Sequence, residues 1–145
     1  LYDGLVSVNL LDFSTGVALD FFACNDVIAS VYAVLPFLGV PEPADQENAL
    51  KPKYFCDFNE LSLETAPGQQ HRYCITYNKA KDEVRFFVDG QVVSAYTEVP
   101  CKITSLLIAL GLMTEKTIKQ GKSVSVHGQY LIGQWGPFTI TVRNG

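Results

Sequence analysis

The chain has 145 residues, of which 48% are hydrophobic and 18% are charged, and its formal net charge is −4. This length suits one domain with its own core, and the composition excludes a disordered chain. A nucleic-acid partner is not expected, because the net charge is negative and the sequence has no Lys/Arg cluster beyond Lys116, Lys119 and Lys122. A membrane partner is not expected either, because the longest apolar run, 27–40, is interrupted by Pro36 and is too short to span a bilayer as a helix. No secretory signal is visible, so the cellular location is left open.

The N-terminal third predicts a three-stranded antiparallel meander. The segments "LVSVNLLDF" (5–13), "VALDFFAC" (17–24) and "VIASVYAVLPF" (27–37) are rich in β-formers with period-two patterning. Turn-forming residues at 14–16 and 25–26 separate them. Residues 39–52 contain three prolines and three acidic residues, which predicts a surface loop.

The middle of the chain predicts a second group of strands. "KYFCDFNELSLE" (53–64) is followed by strands at 71–80, 83–90 and 91–99. Asp89-Gly90 predicts a type I′ turn between the last two, because both central positions of that turn need positive φ. The resulting hairpin is expected at the centre of one sheet.

The C-terminal third is less regular. Residues 103–113 fit a buried strand or a short helix, and Gly111 with the β-rich context favours the strand. Residues 114–122 predict a polar connection with a helical turn, and 123–145 predict two last strands. About nine short strands without a long helix predict an all-β, antiparallel two-sheet sandwich or jelly roll, with residues 1–145 as one domain.

The block "YCITYNKAKDEVRFFVDGQ" (73–91) resembles a strand–turn–strand unit of the concanavalin A-like lectin and glucanase superfamily. The closing "GPFTITV" (136–142) resembles the strand that returns to the same sheet. The resemblance implies a jelly roll that holds its ligand in a concave sheet cleft. Residues 3–37 resemble a narrower family of unassigned function with an additional N-terminal segment. That resemblance implies that the chain is the C-terminal part of a longer product, whereas its start in strand pattern without Met also fits a plain boundary.

The carboxylates of the strand at 53–64 do not support the hydrolase chemistry of the superfamily. Family-16 glycoside hydrolases carry Glu-x-Asp-x-Glu on one strand face, and this motif is absent. Retaining hydrolysis needs two carboxyl groups about 5–5.5 Å apart. Glu60 and Glu64 would lie about 13 Å apart along a strand, and Asp57 would point to the opposite face.

Three residues are candidates for acid/base chemistry: Asp20, Glu60 and His127. Asp20 lies among apolar residues in "VALDFF", so burial of its face would raise the pKa of its carboxyl, whereas a wet face would make it an ordinary polar position. Tyr32, on the next strand, is expected to lie near Asp20 and to donate a hydrogen bond from its hydroxyl to the carboxyl. The alternative is that Tyr32 is a core or edge aromatic residue. Glu60 would face the concave surface or be a solvated strand residue.

Further residues are candidates for ligand binding. Arg72 at a strand start could pair with a ligand carboxylate or lie on an ordinary surface. His127 is followed by a run of side chains typical of sugar or small-ligand sites, namely Gln129, Tyr130, Gln134 and Trp135. The alternative for Trp135 is that the single Trp of the chain is a core residue.

The cysteines, Cys24, Cys56, Cys74 and Cys101, lack the Cys-x-x-Cys spacing of zinc sites. They predict buried free thiols, with one or two disulfides left open. No phosphate loop or calcium loop occurs, so neither a metal nor a cofactor is expected.

Consecutive aromatic residues at Phe21-Phe22 and Phe86-Phe87 cannot all face one core. Either both faces of a sheet are covered, or one face lines an apolar pocket or an interface. Three functions remain. The first is a domain that binds a carbohydrate or glycoconjugate in the concave cleft. The second is an enzyme acting on a hydrophobic small molecule in that cleft, and the third is a structural sandwich covered by an N-terminal fragment or a second copy.

Overall fold

The fold is described from a computed structural model for residues 4–36, 54–97, 99, 102–113, 118–120, 122–123 and 131–143. These residues form ten strands and no helix. The strands are β1 (Leu5–Asp12), β2 (Val17–Ala23), β3 (Ile28–Val34), β4 (Phe55–Glu60), β5 (Tyr73–Asn78), β6 (Glu83–Val88), β7 (Gln91–Tyr96), β8 (Leu107–Met113), β9 (Ile118–Lys119) and β10 (Lys122–Ser123). The predicted loop at 39–52 lies outside the described residues. Within the described ranges, no helix is long and apolar enough to cross a membrane.

A five-stranded antiparallel sheet contains the predicted meander. Its strand order is β4-β3-β2-β1-β8, so the three N-terminal strands are consecutive neighbours as expected. Leu19 of β2 lies opposite Leu10 of β1 and Tyr32 of β3, which fixes the register of the central strands. The ambiguous segment at 103–113 contains a strand, β8, which pairs with β1.

A three-stranded antiparallel sheet contains the predicted hairpin. Its order is β5-β6-β7, which places β6 in the centre. The turn between β6 and β7 has φ of 52° at Asp89 and 84° at Gly90, as the type I′ prediction requires. A register irregularity between Phe86 and Phe87 interrupts the pairing of β6 with β7.

The two sheets pack face to face around an apolar core, which confirms the antiparallel β-sandwich. Phe21 of β2 contacts Phe86 of β6 with ring centroids 5.3 Å apart, and Tyr32 of β3 contacts Tyr96 of β7 at 4.9 Å. Burying a large apolar side chain contributes about 1.5–3 kcal/mol, so these inter-sheet contacts contribute substantially to the stability of the sandwich.

Both faces of the five-stranded sheet are buried near its centre. Phe21 is 2% exposed on the face that packs against the three-stranded sheet, and Phe22 is 9% exposed on the opposite face. Phe22 stacks on Phe58 of β4 with centroids 6.2 Å apart. The consecutive phenylalanines of β2 therefore belong to two different apolar clusters, which explains why the sequence repeats the aromatic residue.

The buried carboxylate of Asp12 ties the first turn to the segment before β8. Its oxygens accept hydrogen bonds from the Ser14 amide at 2.9 Å, from the Thr104 amide at 2.7 Å and from the Ser105 amide at 3.3 Å. Desolvation raises the pKa of Asp12, but the hydrogen bonds from Ser14, Thr104 and Ser105 outweigh it and hold the pKa well below its usual range. Asp12 is therefore a charged anchor of the fold.

The C-terminal third departs from expectation. The polar connection predicted to hold a helical turn instead contributes the two-residue strands β9 and β10, which pair with each other. Residues 131–143 belong to no strand that the structure describes, so the predicted return of "GPFTITV" to the hairpin sheet is wrong for this segment. Three apolar side chains of this segment are exposed at every second position, namely Phe138, Ile140 and Val142.

Candidate functional site

The candidate site lies on the outer face, defined here as the face of the five-stranded sheet turned away from the three-stranded sheet. Strand register arranges its side chains in three rows that cross β1, β2, β3 and β4. The middle row consists of Asn9, Asp20, Val31 and Phe58. The flanking rows consist of Leu11, Ala18, Ala33 and Cys56 on one side and of Ser7, Phe22, Ala29 and Glu60 on the other.

Asp20 occupies the centre of this face and is 5% exposed. Its Oδ1 atom is buried and has no hydrogen-bond partner among the described residues. Burial raises the pKa of Asp20 to about 7, although a hydrogen bond from the Leu10 backbone amide acts in the opposite direction. The carboxyl is therefore close to half-protonated near neutral pH, when it can both accept and give up a proton.

The neighbouring polar side chains of the outer face are already engaged with one another. Asn9 donates from Nδ2 to the Ser7 hydroxyl at 2.9 Å and to the Ala109 carbonyl at 3.3 Å. Ser7 donates to the Gly111 carbonyl at 3.3 Å. Asp20 thus stands out because its register partner Asn9 is turned toward β8 instead of toward the carboxyl.

Exposure on the outer face increases from the central strands to β4. Ala18 and Ala33 are fully buried, whereas Cys56, in the same row on β4, is exposed. Desolvation raises the pKa of the Cys56 thiol, and the nearby carboxylates of Asp20 and Asp57 raise it further. This coupling places Cys56 within electrostatic reach of Asp20, and the exposure of Cys56 and Glu60 shows that the outer face opens to solvent along β4.

Glu60 shares the outer face with Asp20 but not its environment. It is exposed at the end of β4, opposite Ala29. Asp57 points to the face opposite that of Glu60, as the sequence predicted, and this is the inner face, where its Oδ2 accepts a hydrogen bond from the Tyr96 hydroxyl at 2.7 Å. The carboxylates of β4 therefore do not form a pair on one face.

The expected contact between Tyr32 and Asp20 is wrong. Register places Tyr32 opposite Leu19 and Asp57, while Asp20 lies opposite Val31, so the two side chains lie on opposite faces of the sheet. Tyr32 is 3% exposed and packs between Phe55 and Tyr96 in the core. It is a core aromatic, which was the alternative considered for this residue.

Arg72 adjoins a hydrogen-bonded cluster at the hairpin turn that the sequence did not predict. His71 Nδ1 lies 2.7 Å from Asp89 Oδ2, and His71 Nε2 lies 3.2 Å from the Thr65 hydroxyl. The Arg72 amide donates to Asp89 Oδ1 at 2.7 Å, and this bond is the main cause that lowers the pKa of Asp89. The cluster fixes the turn between β6 and β7 against the loop before β5. The only feature of the sequence that pointed to this cluster is the position of His71 at the start of a predicted strand.

The second group of predicted ligand residues is only partly described. Trp135 is 37% exposed, and Gln134 beside it is exposed. A Cβ atom added at Gly133 would meet the Trp135 ring and the Leu112 side chain, which places this segment beside β8. Three predicted site residues, His127, Gln129 and Tyr130, lie outside the described residues.

The cysteines of the described ranges are free, but they are not buried as predicted. Cys24 is half-buried, and Cys56 and Cys74 are exposed. The prediction assumed that a cysteine within a strand points into the core, whereas alternation directs these thiols outward. Cys101 lies outside the described residues, and within those residues no group of His, Cys, Asp or Glu could hold a metal ion.

Comparison with known protein families matches residues 1–144 to a family described as "Family of unknown function (DUF6081)". Searches of curated proteins and of solved structures gave no match. The family description says nothing about the concanavalin A-like superfamily, so that resemblance stays a prediction.

Proposed function

We propose that this chain, which belongs to the family of unknown function DUF6081, binds a mainly apolar small molecule on the outer face, with a ligand hydroxyl or amine donating a hydrogen bond to Asp20. The observation that carries the proposal is the buried Oδ1 atom of Asp20, which has no partner among the described residues. A ligand donor at this atom would complete the hydrogen bonding of the carboxyl.

The energetics of Asp20 favour a role in binding over a role in folding. An unsatisfied buried polar group costs about 1–3 kcal/mol, and such groups in native proteins call for a specific explanation. A strongly perturbed carboxyl is more often found at a functional site than elsewhere. Asp12 of the same sheet shows the contrast, since hydrogen bonds from the protein satisfy its carboxylate.

The composition of the outer face indicates the ligand class. Apart from Asp20, the middle of the face consists of buried alanines, the buried Val31 and the stacked rings of Phe22 and Phe58. Ser7 and Asn9 already bond to each other and to β8. One free acceptor within a buried apolar layer matches a ligand that enters this layer with one donor group on a hydrophobic skeleton.

Carbohydrate binding is the second candidate, and the exposure of Trp135 supports it. A half-exposed indole beside the exposed Gln134 provides a stacking surface and an amide for sugar hydroxyls. It ranks second because neither Trp135 nor Gln134 has a buried polar atom that lacks a partner, as Asp20 has, among the described residues. An enzyme acting at Asp20 is a third candidate, because a pKa of about 7 suits proton transfer.

The test is a thermal-shift screen of the wild-type chain with small molecules that share one apolar skeleton and differ in the polar group. We expect the amine and the alcohol to raise the unfolding temperature at pH 8, and the carboxylate to fail, because it would face the Asp20 charge. Asp20→Asn should abolish the shift by the amine, whereas the exposed control Asp26→Asn should retain it. Equal shifts in wild type and Asp20→Asn would refute the proposal.

The same screen separates the other two candidates. A glycan panel that shifts the unfolding temperature and changes Trp135 fluorescence, with no effect of Asp20→Asn, would move the function to carbohydrate binding at Trp135. Conversion of a stabilising compound, lost in Asp20→Asn, would identify an enzyme at the proposed site.

A further inference from the structure

The described residues expose large apolar side chains mainly in the C-terminal third of the chain. On β8, Leu107, Leu110 and Leu112 are 50%, 42% and 54% exposed. Leu107 lies on the outer face of the sheet, and Leu110 and Leu112 lie on the inward face, so neither face of β8 is covered as the faces of β2 and β3 are. Monomeric proteins rarely leave a contiguous apolar area of this kind in water, and such areas mark interaction surfaces.

β8 has the properties of a strand edge that accepts another strand. It is the terminal strand of the five-stranded sheet and, among the described strands, pairs only with β1. Natural edges are protected by charged residues, prolines or bulges. Residues 107–113, "LIALGLM", contain no charge and no proline, and their pairing with β1 is regular over seven residues.

Residues 137–142, "PFTITV", have the properties of a strand without a sheet. Phe138, Ile140 and Val142 are 63%, 66% and 82% exposed and alternate with threonines. Within the described part of the chain, this segment has no strand partner and no backbone hydrogen bond. Its pattern is typical of a strand with one buried face, and that face is in water here.

We propose that a second copy of this chain covers β8, and that its residues 137–142 add as a strand to the open edge. Each chain gives one strand and receives one, so a two-fold axis closes the dimer. In the dimer, the apolar side chains of the donated strand lie on the inward face of the sheet, beside those of Ile108, Leu110 and Leu112 on β8. These donated side chains are Phe138, Ile140 and Val142 of the partner copy.

Charge and chain path support a second copy as the occupant. Neither strand carries a charge within the paired residues, so the two-fold axis brings no like charges together. Residues 131–133, which precede this segment, lie at the end of β8 beside Gly4, since a Cβ atom at Gly133 would meet Leu112 and one at Gly4 would meet Leu131. From there the segment continues without pairing to its own sheet. One exchange therefore satisfies both an open edge and an unpaired strand.

The test is the molar mass of the wild-type chain by light scattering at high micromolar concentration. We expect a dimer for wild type and half that mass for Ile140→Lys, which places a charge in the donated strand. The control Val92→Lys changes another exposed apolar residue, on β7, an edge strand of the other sheet, and this variant should remain a dimer. A wild-type monomer, or an Ile140→Lys dimer, would overturn the proposal.

A peptide experiment tests the same edge in the unaltered protein. A synthetic peptide of residues 136–143, in excess, should compete for β8 and convert the wild-type dimer to monomer. The same peptide with Ile140→Lys should leave the dimer intact. A dimer that resists the unaltered peptide would show that the chains associate elsewhere, and would overturn the strand exchange.

Discussion

The carboxyl of Asp20 predicts an unusual dependence of stability on pH. Its pKa is raised from 3.8 to about 7 on folding, so the folded chain binds a proton that the unfolded chain has lost. The stability that this proton contributes is complete below pH 3.8 and is lost as pH rises toward 7. The free energy of unfolding should therefore fall between these values by up to about 1.4 kcal/mol per pH unit.

Asp20→Asn isolates this contribution, because the amide is neutral at every pH. We expect the variant to be more stable than wild type at pH 8 and close to it at pH 4, as measured by urea unfolding. All other groups titrate alike in the two proteins, so their contributions cancel in the difference between the two free energies of unfolding. A difference that does not change with pH would contradict a buried Asp20.

Asp12 predicts the opposite behaviour for a carboxylate of the same sheet. Asp12→Asn removes the charge that accepts hydrogen bonds from Ser14, Thr104 and Ser105, so we expect a loss of about 2–4 kcal/mol in urea unfolding at pH 7. The wild-type contribution of Asp12 is present above pH 3.8 and is lost as pH falls, because its pKa is lowered. The exposed Asp26→Asn should change stability by less than about 0.5 kcal/mol.

The sequence identified Asp20 but assigned Tyr32 to the wrong face. Asp20 stood out because a lone carboxyl in an apolar strand must be either solvated or perturbed. The register of Tyr32 could also have been predicted, since a two-residue turn at 25–26 pairs position 20 with position 31 and not with position 32. The lack of a hydrogen-bond partner at Oδ1 could not be predicted from the sequence, because it depends on the Asn9 side chain turning toward β8.

At the scale of elements, two glycines predict different costs for the same substitution. Gly16 and Gly90 both have positive φ, at 80° and 84°, so alanine is strained at each. A Cβ atom at Gly16 would clash with the Leu35 carbonyl, whereas one at Gly90 would meet nothing. We expect Gly90→Ala to cost about 1 kcal/mol and Gly16→Ala clearly more, by thermal or urea unfolding.

Equal costs for the two glycine variants would contradict the close approach of the first turn to the end of β3. The Leu35 amide also donates to the Gly16 carbonyl at 2.8 Å, so the backbone has little freedom to move away from an added methyl group.

Strands were predictable where period two and turn chemistry agreed. The meander and the hairpin followed from alternation bounded by turn residues at 14–16, 25–26 and 89–90. The C-terminal segment 137–142 has the same alternation, yet it forms no strand, because a strand needs a partner that the pattern does not specify. The exposure of Cys56 and Cys74 was missed for a related reason, since propensity does not tell which face of a strand is buried.

At the scale of the whole molecule, the sandwich predicts unequal costs for two neighbouring phenylalanines. Phe86 is fully buried between the sheets, and Phe87 is half-buried on the other face of β6. Phe86→Ala should cost about 3–5 kcal/mol of unfolding free energy, because it opens a cavity among Phe21, Tyr96 and their neighbours. Phe87→Ala should cost less. The reverse order would contradict the way in which the two sheets face each other.

The proposed function depends on a carboxyl that is held in an apolar environment with one oxygen free. The most direct measurement is the pH titration of the Asp20 side-chain carboxyl by ¹³C NMR, assigned by its absence in Asp20→Asn, with and without a stabilising amine from the screen. We predict a midpoint near pH 7 that moves to lower pH when the amine binds, because the ligand cation favours the carboxylate. A midpoint near 4 that the compound does not move would contradict the account.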